Sequence, residues 1–154
     1  MKRPKKKSAP EKSAQDKPWW PYLLLAAAVV GVYWRSLSGG FVLDDRTLFR
    51  DSSSLSDLGS IGRGFTQDVG AVRKGSETVI SSYYRPLFLA LTTAYYQVVG
   101  GRPRPWHQAS VALAVLVAWL AYGWLRHFGW SARLGFWIAL VFSLHPAHTS
   151  SVAW

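Results

Sequence analysis

Apolar residues gather into four stretches, 18–34, 86–99, 106–125 and 130–144, and polar residues fill the chain between them. Trp106 to Leu125 carries no formal charge and is apolar on nearly all sides. About twenty residues at about 1.5 Å each match the roughly 30 Å hydrocarbon core of a bilayer, so this stretch predicts a transmembrane helix. The stretch 18–34 predicts another, rimmed by Trp19, Trp20 and Tyr22 at one end and by Tyr33 and Trp34 at the other. Such rings settle at headgroup depth.

The two shorter stretches differ in pattern. In 86–99, Leu87, Phe88, Leu91, Ala94, Tyr95, Val98 and Val99 fall on one helical face. Thr92, Thr93, Tyr96 and Gln97 fall on the other, with Leu89 the exception. A helix of this kind lies along a membrane surface. Gly100-Gly101 ends it, and Arg102-Pro103-Arg104-Pro105 discourages its continuation. The stretch 130–144 is no longer than this surface helix, so topology has to separate the two cases. Arg126 lies in the turn 126–129 and Arg133 can snorkel to the same interface, which places that turn in the cytoplasm. The basic tail 1–17, with seven Lys or Arg, belongs there too. An even number of spans must join tail and turn, so 18–34 and 106–125 cross and 86–99 does not.

The expected fold is all-α and integral to the membrane. It has a disordered basic cytoplasmic tail (1–17), transmembrane helices at 18–34, 106–125 and 130–144, and an extracytoplasmic loop at 35–105 carrying the surface helix. A second extracytoplasmic loop starts at 145–154. The chain of 154 residues stops at Trp154 soon after an apolar stretch, which predicts a fragment of a larger polytopic fold. One rival is a signal peptide cleaved after Ser36-Leu37-Ser38, although the aromatic-rimmed first stretch is long for that role.

Half of the formal charge of +10 resides in the tail, where seven Lys or Arg face only Glu11 and Asp16. The tail is short, lacks interleaved aromatics and leads directly into a span, so it reads as topogenic, with no nucleic-acid partner. In Ser110, Ala114, Ala118 and Ala121 the second span carries a small-residue stripe suited to close packing within the chain. Cysteine is absent, which removes disulfides and thiolate metal sites. No Gly-rich phosphate loop occurs, which argues against a soluble nucleotide-sugar site.

All eight acids lie at or before Glu77, and two of them, Asp44 and Asp45, are adjacent just beyond the first span. Ionisable groups at a membrane edge are costly and mark function. The same side gathers Tyr84-Arg85-Pro86, His107 and His145-Pro146-Ala147-His148. A carboxylate there can take a proton from an attacking hydroxyl, while Arg or His stabilises a developing phosphate charge. Each residue also has a plainer use. Asp44 or Asp45 can cap a helix starting near Arg46, and Arg85 can anchor at the interface. His145 and His148 form a weak metal pair without a third ligand, and His107 reads as a polar residue at a helix start. His127, on the cytoplasmic side, is no candidate.

Taken in order, Gly39-Gly40-Phe41-Val42-Leu43-Asp44-Asp45, Tyr84-Arg85-Pro86-Leu87 and His145-Pro146-Ala147-His148-Thr149, with Val152-Ala153-Trp154, resemble the N-terminal part of the GT-C glycosyltransferases. The closest branch is that of the transmembrane and tetratricopeptide-repeat O-mannosyltransferases and their bacterial relatives. The resemblance runs over roughly residues 18–154 and implies an inverting transferase using a polyprenyl-phosphate-linked sugar donor in a bacterial inner membrane. It places the catalytic acids at Asp44 and Asp45, and maps substrate-binding positions to Tyr84, Arg85, His145 and His148. No resident metal or cofactor is assigned, a divalent metal is left open, and the acceptor is not identified. Relatives commonly carry Glu where this chain has Ser150, which puts the role of that Glu in doubt here. The fragment alone is expected to be inactive. The rival of a different class is a small non-catalytic membrane protein that scaffolds or binds lipid.

Overall fold

The computed structural model describes residues 18–41, 53–67 and 84–152, and among these every regular element is helical. Helix α1 (Trp20–Tyr33) continues as a 3₁₀ turn over Trp34–Ser38. Two short helices follow, α2 (Ser53–Ser56) and α3 (Gly59–Gly64). The remainder comprises α4 (Pro86–Val99), α5 (Pro103–His127), α6 (Ala132–Ser143), a 3₁₀ turn (Pro146–His148) and α7 (Thr149–Val152). The basic tail 1–17 lies outside the described residues.

Two helical segments are long and apolar enough to cross a membrane, Trp20–Ser38 and Pro103–His127. Helix α5 begins three residues before the expected start at Trp106, because Pro103 occupies its first position, where proline's missing N–H costs nothing. Pro103 and Pro105 therefore open α5 instead of closing the loop expected at 35–105. At 25 residues, α5 is about 37 Å long, more than a bilayer's apolar core requires. Helix α6 has 12 residues, or about 18 Å, and is shorter than the expected stretch 130–144. Ser131 sets its start by accepting a hydrogen bond from the Leu134 N–H at 3.3 Å.

Helices α1, α5 and α6 pack together around Leu25, Val29 and Tyr33 of α1, Val111, Ala118 and Tyr122 of α5, and Phe136 and Ala139 of α6, with Val152 of α7. Small residues allow the close approach. An added Cβ at Gly135 would stand 3.6 Å from the Tyr122 ring, and Ala118 is fully buried, so the small-residue stripe is used inside the chain. Trp119 Nε1 donates to the Tyr22 carbonyl at 2.8 Å, and the Tyr22 and Tyr122 rings meet edge-on with centroids 4.9 Å apart. The outside of this bundle is also apolar: Leu23, Leu24, Leu113, Leu120 and Val141 are exposed. Exposed Trp19, Trp124, Phe128 and Trp130 collect at the end that carries Arg126, whose guanidinium donates to the Trp130 carbonyl. Apolar sides with an aromatic, basic rim mark a membrane protein.

Helices α2, α3 and α4 form a second, smaller unit around Leu55 and Leu89, with Tyr96 against them. Here α4 turns inward the face expected to be polar, together with the exceptional Leu89. Leu89, Thr92 and Thr93 are buried, whereas Leu91 and Val98 are 71% and 82% exposed. The Ser60 and Thr93 hydroxyls share a buried hydrogen bond of 3.4 Å. Gln97 Nε2 donates to the carbonyls of Leu55 and Ser56 at 2.9 and 3.0 Å. At the far end of α4, Gly100 takes φ of 66°, which a side chain would oppose. There the two units are joined: Tyr95 Oη donates to the Pro105 carbonyl at 2.8 Å, and Trp106 Nε1 to that of Gly100 at 2.9 Å.

Candidate functional site

The acids Asp44 and Asp45 lie outside the described residues. The chain leading to them is described as far as Phe41. Where the 3₁₀ turn after α1 ends, the Gly39 N–H bonds the Ser36 carbonyl at 3.0 Å, and the backbone becomes extended with φ of −69° and ψ of 161°. His107, in the second turn of α5, lies beneath this exit. An added Cβ on Gly39 would sit 3.8 Å from His107 Nε2, and the rings of Phe41 and His107 are 6.5 Å apart.

His107 is only 3% exposed, and its Nε2 has no hydrogen-bond partner among the described residues. A buried, unsatisfied polar atom costs about 1–3 kcal/mol, so it requires an explanation. The sequence gives His107 no motif to stand in. It stands there with the candidate residues and also reads as a polar residue at a helix start; the structure places it in the second turn of α5, enclosed beneath Gly39.

Tyr84 and Arg85 stand at the start of α4, both exposed. Tyr84 Oη donates to the Phe65 carbonyl at 2.8 Å, fastening the segment to the end of α3. Pro86 then opens α4, and the Arg85 carbonyl accepts from the Leu89 N–H at 3.1 Å. The Tyr-Arg-Pro string thus places a guanidinium at a helix start held by the small unit.

The structure separates the two histidines that the His-Pro-Ala-His string makes look equivalent. His145 Nδ1 accepts from the Ala147 N–H at 3.2 Å and caps the 3₁₀ turn that Pro146 opens. One nitrogen of His145 is therefore engaged in holding the turn. His148 is half-buried, packs its ring edge-on against Phe142 with centroids 4.9 Å apart, and reaches a groove between α5, α6 and α7. Among the described residues, no group of three His, Cys, Asp or Glu side chains is placed to hold a metal ion.

The described acid is Asp57. Arg63 donates to it at 2.6 Å and the Gly59 N–H at 2.9 Å, and together they hold its carboxyl below the usual carboxylate range. The described residues between α1 and the first turn of α5 otherwise include Arg35, Arg85, Arg102 and Arg104, cationic groups suited to an anion.

Comparison with known proteins finds similarity to two O-mannosyl-transferases. The chain is 29% identical over 150 residues to the human protein O-mannosyl-transferase TMTC4, an alignment covering 88% of this chain and 20% of that protein. To the mouse protein O-mannosyl-transferase TMTC3 it is 28% identical over 129 residues, covering 84% of this chain and 14% of that protein. It is a distant relative of these transferases and spans about a fifth or less of their length. No protein-family model and no solved structure matches it.

Proposed function

We propose that this chain is the N-terminal part of an inverting membrane glycosyltransferase that moves a sugar from a polyprenyl-phosphate donor to an acceptor hydroxyl on the extracytoplasmic side. The similarity to two O-mannosyl-transferases over most of this chain carries the reading. The arrangement of α4 to α7 supports it. In this reading α1, α5 and α6 cross an inner membrane of bacterial type from a cytoplasmic N-terminus, with the 3₁₀ turn and α7 completing the short path of α6. Helix α4 then lies on the outer surface with Leu91 and Val98 toward lipid.

Asp44 or Asp45 acts as the general base on the acceptor hydroxyl. Arg85 and His148 stabilise the phosphate as the sugar leaves, and His145 orients the turn that carries His148. Phosphate departs as a stable anion, so no strong acid has to protonate it. His107 supports the chain that leads from α1 to the acids.

The test is to replace Asp44 and Asp45 singly by Asn in the intact protein and measure sugar transfer. At least one variant is expected to lose about 10²–10⁴-fold in rate while still inserting in the membrane. Full transfer by both variants would sink the assignment of the base to this pair, and absence of transfer by the intact parental protein would leave a non-catalytic lipid-binding protein.

A further inference from the structure

A groove of about 230 Å³ opens between α5, α6 and α7. Ala114, Val117, Phe142 and Val152 form its walls, and Ser110 and His148 stand at its polar edge. Val117 and Phe142 are themselves exposed on the apolar outside of the bundle, so the groove is continuous with the surface that faces hydrocarbon. Ser143 is not available to a ligand, because its hydroxyl already donates to the Ala139 carbonyl at 2.6 Å. The volume exceeds the roughly 150 Å³ of an apolar cavity that holds benzene, so a short run of hydrocarbon fits.

We propose that this groove is a lateral seat for the phosphate-proximal chain of a single-chain lipid phosphate, a polyprenyl phosphate, with its phosphate at His148. The proposal rests on the lipid-linked donor reading above and assigns a place for that donor on this chain. Three observations select this occupant. The groove opens sideways to lipid, so a chain enters without crossing water. It is one crevice of about 230 Å³ bounded by α5, α6 and α7, a size suited to a segment of one chain. Its polar edge carries the His148 imidazole and the Ser110 and Ser151 hydroxyls on the half of the bundle where α5 begins, with Arg102 at its N-cap and Arg104 in its first turn, which favours an anionic head.

The experiment uses a polyprenyl phosphate bearing a diazirine on its first isoprene unit, with the intact protein in phosphatidylcholine nanodiscs. Photolabel is expected in residues 110–117 and 142–152, competed by unlabelled polyprenyl phosphate and not by inorganic phosphate or two-chain phosphatidic acid. Ala114→Leu fills the groove and is expected to reduce labelling about tenfold, and His148→Gln to weaken the phosphate about tenfold while leaving labelling by the matching polyprenol unchanged. Circular dichroism on both variants verifies that helix content is kept, and His148→Gln carries the test alone if Ala114→Leu does not fold. Label spread evenly over all lipid-facing helices, or competition by phosphatidic acid, would overturn the seat. So would transfer at the parental rate by a folded Ala114→Leu protein, which leaves the transferase reading standing. Confined label on an intact parental protein that transfers no sugar supports the seat while removing the transferase reading.

Discussion

In the α1–α5–α6 bundle the buried positions are apolar or small, Leu25, Val29, Ala118 and Ala139, and the outside is apolar as well. In the α2–α3–α4 unit, buried Leu55 and Leu89 share the interior with hydrogen-bonded Ser60 and Thr93, and α4 shows its apolar residues outward. The contrast follows from the solvent on each side. Lipid provides no driving force to hide an apolar side chain, so helices beside it associate through close packing and hydrogen bonds. In the proposed reading, in which the outward face of α4 meets lipid, its polar face makes the hydrogen bonds that lipid cannot replace, and that face goes inward.

The largest expected effect belongs to the small unit, where Leu89 is one of two buried apolar residues. Leu89→Ala should cost about 2 kcal/mol or more and release α4 from α2 and α3, read as faster hydrogen exchange in 53–67 with α5 unchanged. Equal loss of protection in α5 would mean that the two units fold as one. In the bundle, Ala118→Leu should destabilise by about 1–3 kcal/mol through overpacking, measured as a lower thermal midpoint in detergent. Gly135→Ala should be mild, since its new methyl would meet the Tyr122 ring at ordinary contact distance, 3.6 Å.

His107→Leu tests the unsatisfied imidazole. Removing a buried polar atom that has no partner among the described residues should leave stability equal or higher by up to about 1–3 kcal/mol. A marked fall in the thermal midpoint would instead reveal a structural partner for Nε2. In the small unit, Thr93→Val alone should destabilise by about 1 kcal/mol by stranding the Ser60 hydroxyl, and the double variant Ser60→Ala/Thr93→Val should recover most of it.

The smallest effect is expected on the exposed pair of Asp57 and Arg63. Its folded carboxyl titrates below its ordinary value, so its contribution is complete above the usual carboxylate pKa and is lost as pH falls through the lowered one. Asp57→Asn should flatten the acid limb of the stability profile only slightly, because exposed pairs are screened. Since the chain has no cysteine, single Cys residues at 91 and 98 can report whether the outward face of α4 meets lipid. A spin label there is expected to be more accessible to oxygen than to a water-soluble nickel chelate, and the reverse would place that face in water.

Helix positions were largely legible along the chain, for local reasons. Pro86 and Gly100 bracket α4, Pro103 opens α5, and Gly129 with φ of 84° closes the turn before Ser131 caps α6. What each helix faces was less legible. Periodicity identified two faces of α4, but it carries no information on which solvent touches which face. The acids Asp44 and Asp45 remain a reading from sequence alone, since they lie outside the described residues.

By itself the amino-acid order determined an all-helical membrane chain, because uncharged runs of bilayer length and proline or glycine at helix ends act locally. The tertiary structure alone decided that α4 buries Thr93 instead of Leu91, that His145 caps a turn while His148 lines a groove, and that His107 is enclosed beneath Gly39. Those outcomes depend on which surfaces meet across the chain, and contacts between residues far apart in sequence leave no periodic trace in either segment.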